Sequence, residues 1–356
     1  MSNTIGEKIK CTVFGQSHSE AIGIVIEGLP AGVELDIERI NKFMARRAPG
    51  KGGHTTSRKE ADAPKIISGL VDGVTCGAPL CAVIENKDTR SSDYGDLKKI
   101  PRPGHADFTA YAKYNGFNDI RGGGQFSGRL TAPLCFAGGV CMQLLSQKGI
   151  KIAAHISQIA DVKDVPCDPA EPQSALFDVC EKDFPVIDCE AGNAMLCEIE
   201  KARLDGDSVG GIIECAVCGL DAGYGEPMFD GVENMIARAV FGVPAVKGIE
   251  FGAGFASAAM RGSENNDQFE VKDGKTVTVT NNCGGILGGI TNAMPVIFRC
   301  AIKPTPSIFA EQRSVNLVKM ENTTLSIKGR HDPCIVSRAV PAIEAVTAIA
   351  IANLIF

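Results

Sequence analysis

Short runs of apolar and β-branched residues recur along the chain, and glycine, proline or polar residues bound each run. This pattern is typical of β-strands. The first two runs flank the turn sequence FGQSHSE, which places Ser17 and His18 in a loop between strands. We predict strands at residues 9–13, 21–27, 64–70, 78–85, 150–159, 210–218 and 294–302.

Longer stretches with apolar residues at helical spacing predict α-helices between these strands. Asp36 is a natural N-cap for a helix that ends at Arg47, shortly before Pro49, because a residue before proline is disfavoured in a helix. Further helices are predicted after His105, near residues 130–147 and 193–204, and at the C-terminus.

The C-terminal stretch 339–356 is apolar enough to raise the question of a membrane-spanning helix. Pro341, Glu344, Thr347 and Asn353 interrupt it, and it barely reaches the length that a bilayer requires. We therefore interpret it as a helix buried in a protein core.

Strands and helices alternate without the regular rhythm of a doubly wound sheet, which favours an α+β fold. The sequence has no internal repeat, low-complexity tract or long linker, so we predict a single domain over residues 1–356. Residues 161–190 are predicted as a surface excursion without visible chemistry, and residues 262–275 as a polar loop.

Composition and charge narrow the classes of function. The net charge of −6 argues against general affinity for nucleic acid or membranes. The chain has no tryptophan and four tyrosines, so aromatic platforms for single-stranded nucleic acid are scarce. A nucleic-acid-binding module using the basic stretches 39–65 and 98–129 remains an alternative, but a disfavoured one.

The fourteen cysteines are scattered, and the N-terminal residues lack an apolar signal region. We expect free, mostly buried thiols in a cytoplasmic protein. Cys215 and Cys218 form the single CxxC pair in a predicted strand, where residues three apart point to opposite faces. We therefore predict no metal site.

Residues 102–129 combine the groups that an anion site needs. Arginine side chains suit carboxylate and phosphate oxygens, and a glycine run lets the backbone approach a ligand closely. A basic surface loop is the alternative. The groups concerned are Arg102, His105, Arg121, Gly122–Gly124, Ser127 and Arg129.

A second basic stretch runs from Arg39 to Lys65, with eight basic residues against two acidic ones. Favourable contact with a helix C-terminus on a solvated face would explain Arg46 and Arg47. It would not explain the basic residues that continue through the glycine-rich loop Lys51–Lys59, for which we predict anion binding.

Two single residues keep alternative readings at this stage. His18 lies between strands, where histidine is more often structural than catalytic. Asp332 precedes the C-terminal helix and is either an N-cap or a functional carboxylate.

Two further segments suit ligand binding. The glycine pairs at 284–285 and 288–289 allow close approach of backbone amides to a ligand. Lys303–Ser307 is a stiff loop that carries a cation and hydroxyls.

Taken together, these pieces resemble the chorismate synthases over essentially the whole chain. The resemblance rests on ordered motifs: FGQSHSEAIGIVIEGLPAG, RRAPG, TTSRKEAD, RPGHADFTAYAKY, RGGGQFSGRLTA, GDSVGG, GGILGGI, KPTPSI, GRHDPC and RAVPAIEA. It implies a β-α-β sandwich fold and a cytoplasmic homotetramer. It also implies conversion of 5-enolpyruvylshikimate 3-phosphate into chorismate with reduced FMN and no net redox change.

The resemblance also implies roles for individual residues. His18 would lie near the departing phosphate as general acid, His105 would lie beside the flavin and stabilise its reduced anion, and Asp332 would help the flavin accept the ring proton. The residues implied to bind the anionic small-molecule substrate are Arg47, Arg102, Ser127, Arg129 and Arg330. Those implied to bind the flavin are Ser127, Gly128, Ala245, Gly288, Lys303, Pro304, Thr305, Pro306, Ser307 and Arg330.

The chain departs from the family pattern at a few positions. Ala48 and Gly53 stand where relatives often have arginine, and Lys51, His54 or Arg58 would have to supply that charge. Gln125 and Phe126 replace an arginine and a serine of many relatives. No dinucleotide fingerprint for NADPH is present, although the family's bifunctional members, which reduce their own flavin, lack one too. An FMN-dependent oxidoreductase acting on an anionic small molecule is the alternative function.

Overall fold

The computed structural model describes residues 3–48, 62–87, 98–172, 174–179, 182–327 and 332–356. The helices are α1 (Ile37–Arg47), α2 (Asp107–Tyr114), α3 (Thr131–Ser146), α4 (Ser174–Asp178), α5 (Cys189–Leu204), α6 (Val232–Val240), α7 (Gly262–Asn265) and α8 (Val336–Ile355). The strands are β1 (Thr4–Ile5), β2 (Lys10–Gly15), β3 (Ala21–Glu27), β4 (Lys65–Ser68), β5 (Leu70–Val71), β6 (Val74–Thr75), β7 (Leu80–Glu85), β8 (Lys151–Ile159), β9 (Val162–Lys163), β10 (Gly211–Cys218), β11 (Val246–Phe251), β12 (Phe269–Lys272), β13 (Lys275–Thr278), β14 (Ile286–Leu287), β15 (Ile290–Thr291), β16 (Val296–Ile302), β17 (Gln312–Asn316) and β18 (Glu321–Leu325).

Two five-stranded antiparallel sheets form the outer layers of the fold. The first has the order β1-β2-β3-β7-β4 and the second β11-β16-β10-β8-β9. Successive side chains of a strand point to opposite faces of its sheet, and in both sheets apolar residues at every second position face the core. Ile22, Ile24 and Ile26 do so in β3, and Ile213 and Cys215 do so in β10.

Helices fill the space between the sheets and complete one hydrophobic core. α3 packs against β3 and β7 of the first sheet, α8 packs against β8 and β10 of the second, and the two helices pack on each other. Their backbones come very close at Gly138, where a Cβ atom would lie 2.3 Å from the Cα atom of Ala345. This arrangement confirms the predicted α+β class and the β-α-β layering.

α8 is the helix among the described residues whose length and composition would let it cross a membrane, yet 83% of its most apolar window is buried. Its polar residues have partners inside the protein. Glu344 accepts hydrogen bonds from Arg46 at 2.5 and 3.0 Å and from the Ala154 backbone at 2.9 Å. Asn353 accepts from the backbone N–H groups of residues 7–9. The interpretation as a buried core helix is confirmed.

A row of alternating charges crosses the other face of the second sheet. Glu250, Arg299, Glu214 and His155 are register neighbours on four adjacent strands, and Asp164 follows on the far side of His155. His155 Nδ1 lies 2.9 Å from Asp164, and its Nε2 lies 3.1 Å from Glu214. His155, Asp164 and Glu214, which we call the His155 cluster, are all buried. The segment predicted to lack visible chemistry therefore contributes a buried carboxylate, Asp164.

The predicted helices and strands lie where expected, with ends that differ by a few residues. The prediction of a polar loop at 262–275 is wrong, because this segment contains α7 and most of the β12–β13 hairpin. All four residues of β12 are exposed, so the strand lacks the alternation that signals burial. The turn residues Asp273 and Gly274, at φ +53° and +74°, were the available signal, since Asp-Gly favours a two-residue hairpin.

The CxxC residues lie on opposite faces of β10, as predicted. Cys215 belongs to the main core, whereas Cys218 packs against a small cluster on the other side of the sheet. Burial raises the pKa of the Cys215 thiol well above its ordinary value, which suits a packing role.

Candidate active site

The glycine run 122–124 brings two histidines together. All three glycines have positive φ values, from +55° to +85°. A Cβ atom on Gly122 would lie 2.4 Å from the ring of His18, and one on Gly123 would lie 3.1 Å from Nε2 of His105. The backbone N–H of Ser17 donates to the carbonyl of Gly124 at 3.1 Å, which ties the β2–β3 loop to the run. The glycines therefore make room for imidazole rings.

His105 belongs to a network centred on Asp107, the first residue of α2. Nδ1 of His105 lies 2.6 Å from Asp107 Oδ1. Arg102 donates to the same carboxylate from Nε at 2.7 Å and from Nη2 at 2.9 Å. Burial alone would raise the pKa of Asp107, but the hydrogen bonds from Arg102 and His105 outweigh it and hold that pKa well below its usual range. The carboxylate is thus ionised at neutral pH.

The loop Lys303–Ser307 packs against this network. Arg102 Nη1 donates to Ser307 Oγ at 3.2 Å, and Lys303 Nζ donates to the carbonyl of Gly104. The backbone N–H of Lys303 donates to Ala245, which has φ +75°. Burial, and to a lesser extent Lys247, lowers the pKa of Lys303 below its ordinary value.

Arg47 and Arg129 are buried on either side of one carboxylate, Asp62. Nη1 of each arginine donates to a different oxygen of Asp62. Arg47 Nε also donates to the hydroxyl of Thr131 at 3.0 Å, and Arg129 Nε donates to Asn86 at 3.0 Å. Two buried arginines therefore meet at one carboxylate.

Asp332 is linked to the arginine pair through Arg338. Arg338 Nη1 donates to Asp332 Oδ2 at 2.6 Å, and its Nε donates to the carbonyl of Arg47 at 3.1 Å. The N-cap of α8 is Ile335, without a side-chain hydrogen bond. The structure therefore does not support the N-cap alternative for Asp332.

Comparison with known proteins decides the family. The family model described as chorismate synthase matches residues 9–356. The chorismate synthase of Dehalococcoides mccartyi (strain BAV1) is 45% identical over 354 residues, covering 99% of this chain and 96% of that protein. That of Thermococcus kodakarensis is 46% identical over 348 residues, covering 98% and 96%.

The chain belongs to the chorismate synthase family.

A solved structure supports the same assignment. A protein described as "Crystal Structure of Chorismate Synthase" superposes with a TM-score of 0.76 at 26% identity, covering 98% of this chain and 92% of that one. The predicted resemblance is confirmed, and the chain is an enzyme of the chorismate synthase type.

The structure gathers most of the residues that the family resemblance implied. His18, His105, Arg102, Ser307 and Lys303 belong to the connected contacts described above. Ser127 and Gly128 contact the buried arginines, because Ser127 Oγ accepts from the N–H of Arg129 at 3.3 Å and Gly128 O accepts from Arg47 at 3.4 Å. Arg46 and Arg47 do not lie on a solvated face, since both form ion pairs with largely buried carboxylates.

Other predicted residues stand apart. Gly288 precedes Gly289, which packs against Glu226 and Gly231 beside the start of α6, and the hydrogen bonds described above do not reach it. Arg121 is half exposed and pairs with Asp119 at 2.8 Å. Arg330, Gly53 and the loop Lys51–Lys59 lie outside the described residues.

Sequence reasoning missed Asp62, Asp107 and Arg338. A usable signal existed for the two carboxylates, because buried arginines need counter-ions and each aspartate stands within one of the basic motifs. Arg338 gave no such signal, because its contact with the Arg47 carbonyl joins residues distant in sequence and its nearby partner Asp332 had two other readings.

Several described features fit a polar planar ligand such as a flavin beside the Lys303–Ser307 loop. Thr305 Oγ1 is buried and has no hydrogen-bond partner within the part of the chain that the structure describes. Among the described residues, a Cβ atom on Gly128 would meet nothing within 4 Å, so this backbone is open to a ligand. An unsatisfied buried hydroxyl is costly unless a ligand or water completes it.

Proposed function

We propose that this chain catalyses the anti-1,4-elimination of phosphate from 5-enolpyruvylshikimate 3-phosphate to give chorismate, with reduced FMN and no net redox change. The observation that carries the proposal is the meeting of His18 and His105 on adjacent glycines, within a family that is assigned on the whole chain. The site holds a proton donor, a second imidazole and buried arginines, which are the groups that this elimination requires.

The charge of the site matches the proposed substrate, which carries a phosphate and two carboxylates. Arg47 and Arg129 place two buried guanidinium groups around Asp62, and guanidinium groups suit the oxygens of phosphate and carboxylate groups. We assign both to the substrate, together with Arg102, Ser127 and Arg330. Arg102 acts there through its fixed position, since its donors already reach Asp107 and Ser307.

The proposed proton movements use three side chains. His18 donates a proton to the departing phosphate, His105 lies beside the flavin, and Asp332 takes part in moving the ring proton while Arg338 holds its carboxylate. Reduced FMN, when bound, would supply reversible electron transfer to the substrate. The residues that would hold it are Ser127, Gly128, Ala245, Gly288, Lys303, Pro304, Thr305, Pro306, Ser307 and Arg330.

The proposal extends to the protein's setting. We infer a single domain, a homotetramer and a cytoplasmic location, with NADPH as a possible reductant for the flavin. Light scattering of the purified protein at several concentrations measures the oligomeric state, and anaerobic flavin reduction with NADPH alone measures the reductase activity.

Replacement of either histidine by alanine tests the assigned roles. His18→Ala and His105→Ala are each expected to lower turnover roughly 10²–10⁴-fold, the usual loss when a positioned proton donor or partner is removed. Substrate and flavin binding, measured separately by calorimetry, should change far less. A near-normal turnover in either variant would remove that histidine from the mechanism. Lys272→Gln, in an exposed ion pair with Glu171, serves as the control.

A further inference from the structure

We propose that Asp107 is a positioning residue that keeps the proton on Nδ1 of His105 and thereby makes Nε2 the nitrogen that gains or loses a proton during turnover. This inference deepens the proposed function and rests on the role assigned there to His105. It concerns a residue that touches His105 rather than the reacting atoms.

The geometry around Asp107 is that of a fixed anchor. The side chains of Asp107 and Arg102 are about 4% and 6% exposed, and that of His105 is 15% exposed. Oδ1 faces His105 Nδ1 at 2.6 Å, while Oδ2 accepts from Arg102 Nε at 2.7 Å and from the Arg102 backbone at 3.1 Å. The carboxylate also stands at the first residue of α2, where a negative charge is favourable.

The hydrogen-bond inventory decides which nitrogen of His105 carries the proton. The pKa of Asp107 is held well below its usual range, so its carboxylate only accepts hydrogen bonds at neutral pH. A contact of 2.6 Å between this carboxylate and Nδ1 therefore requires the hydrogen to be on Nδ1. Arg102 Nη2 lies 3.1 Å from Nδ1, but it donates to Asp107 Oδ1 at 2.9 Å.

Nε2 is then the ring nitrogen whose protonation can change, and the missing side chain of Gly123 leaves room beside it. Gly123 lies next to Nε2, where a Cβ atom would come within 3.1 Å. Arg102 Nη2 lies 3.4 Å from Nε2, so a fixed positive charge stands beside this nitrogen. Arg102 also bonds to Ser307 and so joins the positioned imidazole to the loop that we assign to the flavin.

Asp107→Asn is the decisive variant. Its single amide oxygen would be taken by Arg102, because a charged donor outcompetes a neutral one. Its NH₂ group would then face Nδ1 of His105, which must become an acceptor, and the proton would move to Nε2. Asp107→Glu keeps two acceptor oxygens, so it should retain the Nδ1 proton.

The measurement is the ¹⁵N spectrum of ring-labelled histidine in ligand-free protein over a pH series. The chain has five histidines, and a His105→Gln variant assigns the signal. Turnover, with separate KM values for substrate, is measured on the same variants. Glu250→Gln is the matched control, because Glu250 also pairs with an arginine, at 2.8 Å, but lies in the second sheet.

We expect Asp107→Asn to move the proton of the neutral ring from Nδ1 to Nε2 and to lower turnover roughly 10²-fold or more, with KM little changed. Asp107→Glu should restore the Nδ1 signal and part of the turnover, and Glu250→Gln should alter neither. The inference is overturned if Asp107→Asn leaves the proton on Nδ1, or if the proton moves while turnover stays normal. If His105→Ala is inactive and Asp107→Asn is normal, only this inference fails. If His105→Ala is also normal, the role proposed for His105 fails with it.

Discussion

Single residues in the site are specified by partners that lie far away in the sequence. The sequence predicted that the glycine run 122–124 lets the backbone approach a ligand closely, and the structure shows that the rings of His18 and His105 lie against this run. The sequence motifs identify the candidate residues, but they do not show which of these residues are in contact. Asp62 illustrates the same limit, because its two arginines lie 15 and 67 residues away.

At the residue scale, Gly122→Ala tests whether the glycine makes room for His18. The added Cβ atom would lie 2.4 Å from the ring and 2.5 Å from Ser17 Oγ, so the imidazole must shift. We expect turnover to fall roughly 10²-fold, the loss that follows when a proton donor leaves its position. Steady-state kinetics and a thermal midpoint measure the effect.

Gly149→Ala is the control for backbone strain. Gly149 also has a positive φ, +76°, but a Cβ atom there would meet no described residue within 4 Å. It should cost about 1 kcal/mol of stability and leave turnover unchanged. If Gly122→Ala behaves in the same way, the close approach to His18 has no part in catalysis.

At the scale of elements, the hydrophobic pattern predicted most helices and strands, because burial of one face of an element places apolar residues at a regular spacing along the chain. It failed at β12, whose four residues are exposed, and at Asp164, a buried carboxylate in an acidic segment that the sequence predicted to lie at the surface. The polar interruptions of α8 were read correctly, but their partners, such as Arg46 for Glu344, depend on tertiary packing.

Adjacent glycines in α3 give opposite predictions for the packing of α3 on α8. Gly138→Ala would place a Cβ atom 2.3 Å from Ala345 of α8, and overpacking of this kind costs about 1–3 kcal/mol. Gly139→Ala would make ordinary contacts of 3.4–3.6 Å with α1, and alanine in a helix is better than glycine by about 0.5–1 kcal/mol. Urea unfolding of both variants is the measurement. Equal effects of the two changes would contradict the packing described here.

The His155 cluster predicts how stability depends on pH. Burial alone would lower the pKa of His155, but the hydrogen bonds to Asp164 and Glu214 raise it above its ordinary value. The folded state therefore holds this proton more tightly than the unfolded state. The resulting stabilisation is complete below about pH 6.5 and is lost as the pH rises through the raised pKa.

His155→Gln should remove this stabilisation. It removes the cation between Asp164 and Glu214, of which Glu214 keeps Arg299 at 3.8 Å, so we expect a loss of about 3–5 kcal/mol near pH 6 and a smaller loss at alkaline pH. Thermal unfolding of both proteins between pH 6 and 9, at one protein concentration, measures the difference. Parallel curves would show that His155 is not charged in the folded protein.

At the scale of the whole molecule, three helices of the middle layer meet at Arg47. The C-terminus of α1 supplies Arg47, and the N-termini of α3 and α8 meet it through Thr131 and Arg338. Helix N-termini favour anions and the C-terminus of α1 favours cations such as Arg47, so the helix dipoles suit both kinds of charge at this point. The α+β class could be predicted from element order, whereas the strand order β1-β2-β3-β7-β4 could not, because pairing between distant strands leaves no local signal.

The central claim is that the chain eliminates phosphate without consuming the reducing power of its flavin. The most direct test mixes the purified protein anaerobically with chemically reduced FMN and 5-enolpyruvylshikimate 3-phosphate, and follows phosphate release and flavin absorbance together. We predict equal amounts of chorismate and phosphate, with the flavin still reduced after many turnovers. Oxidation of the flavin in step with substrate loss would contradict the account and identify an oxidoreductase instead.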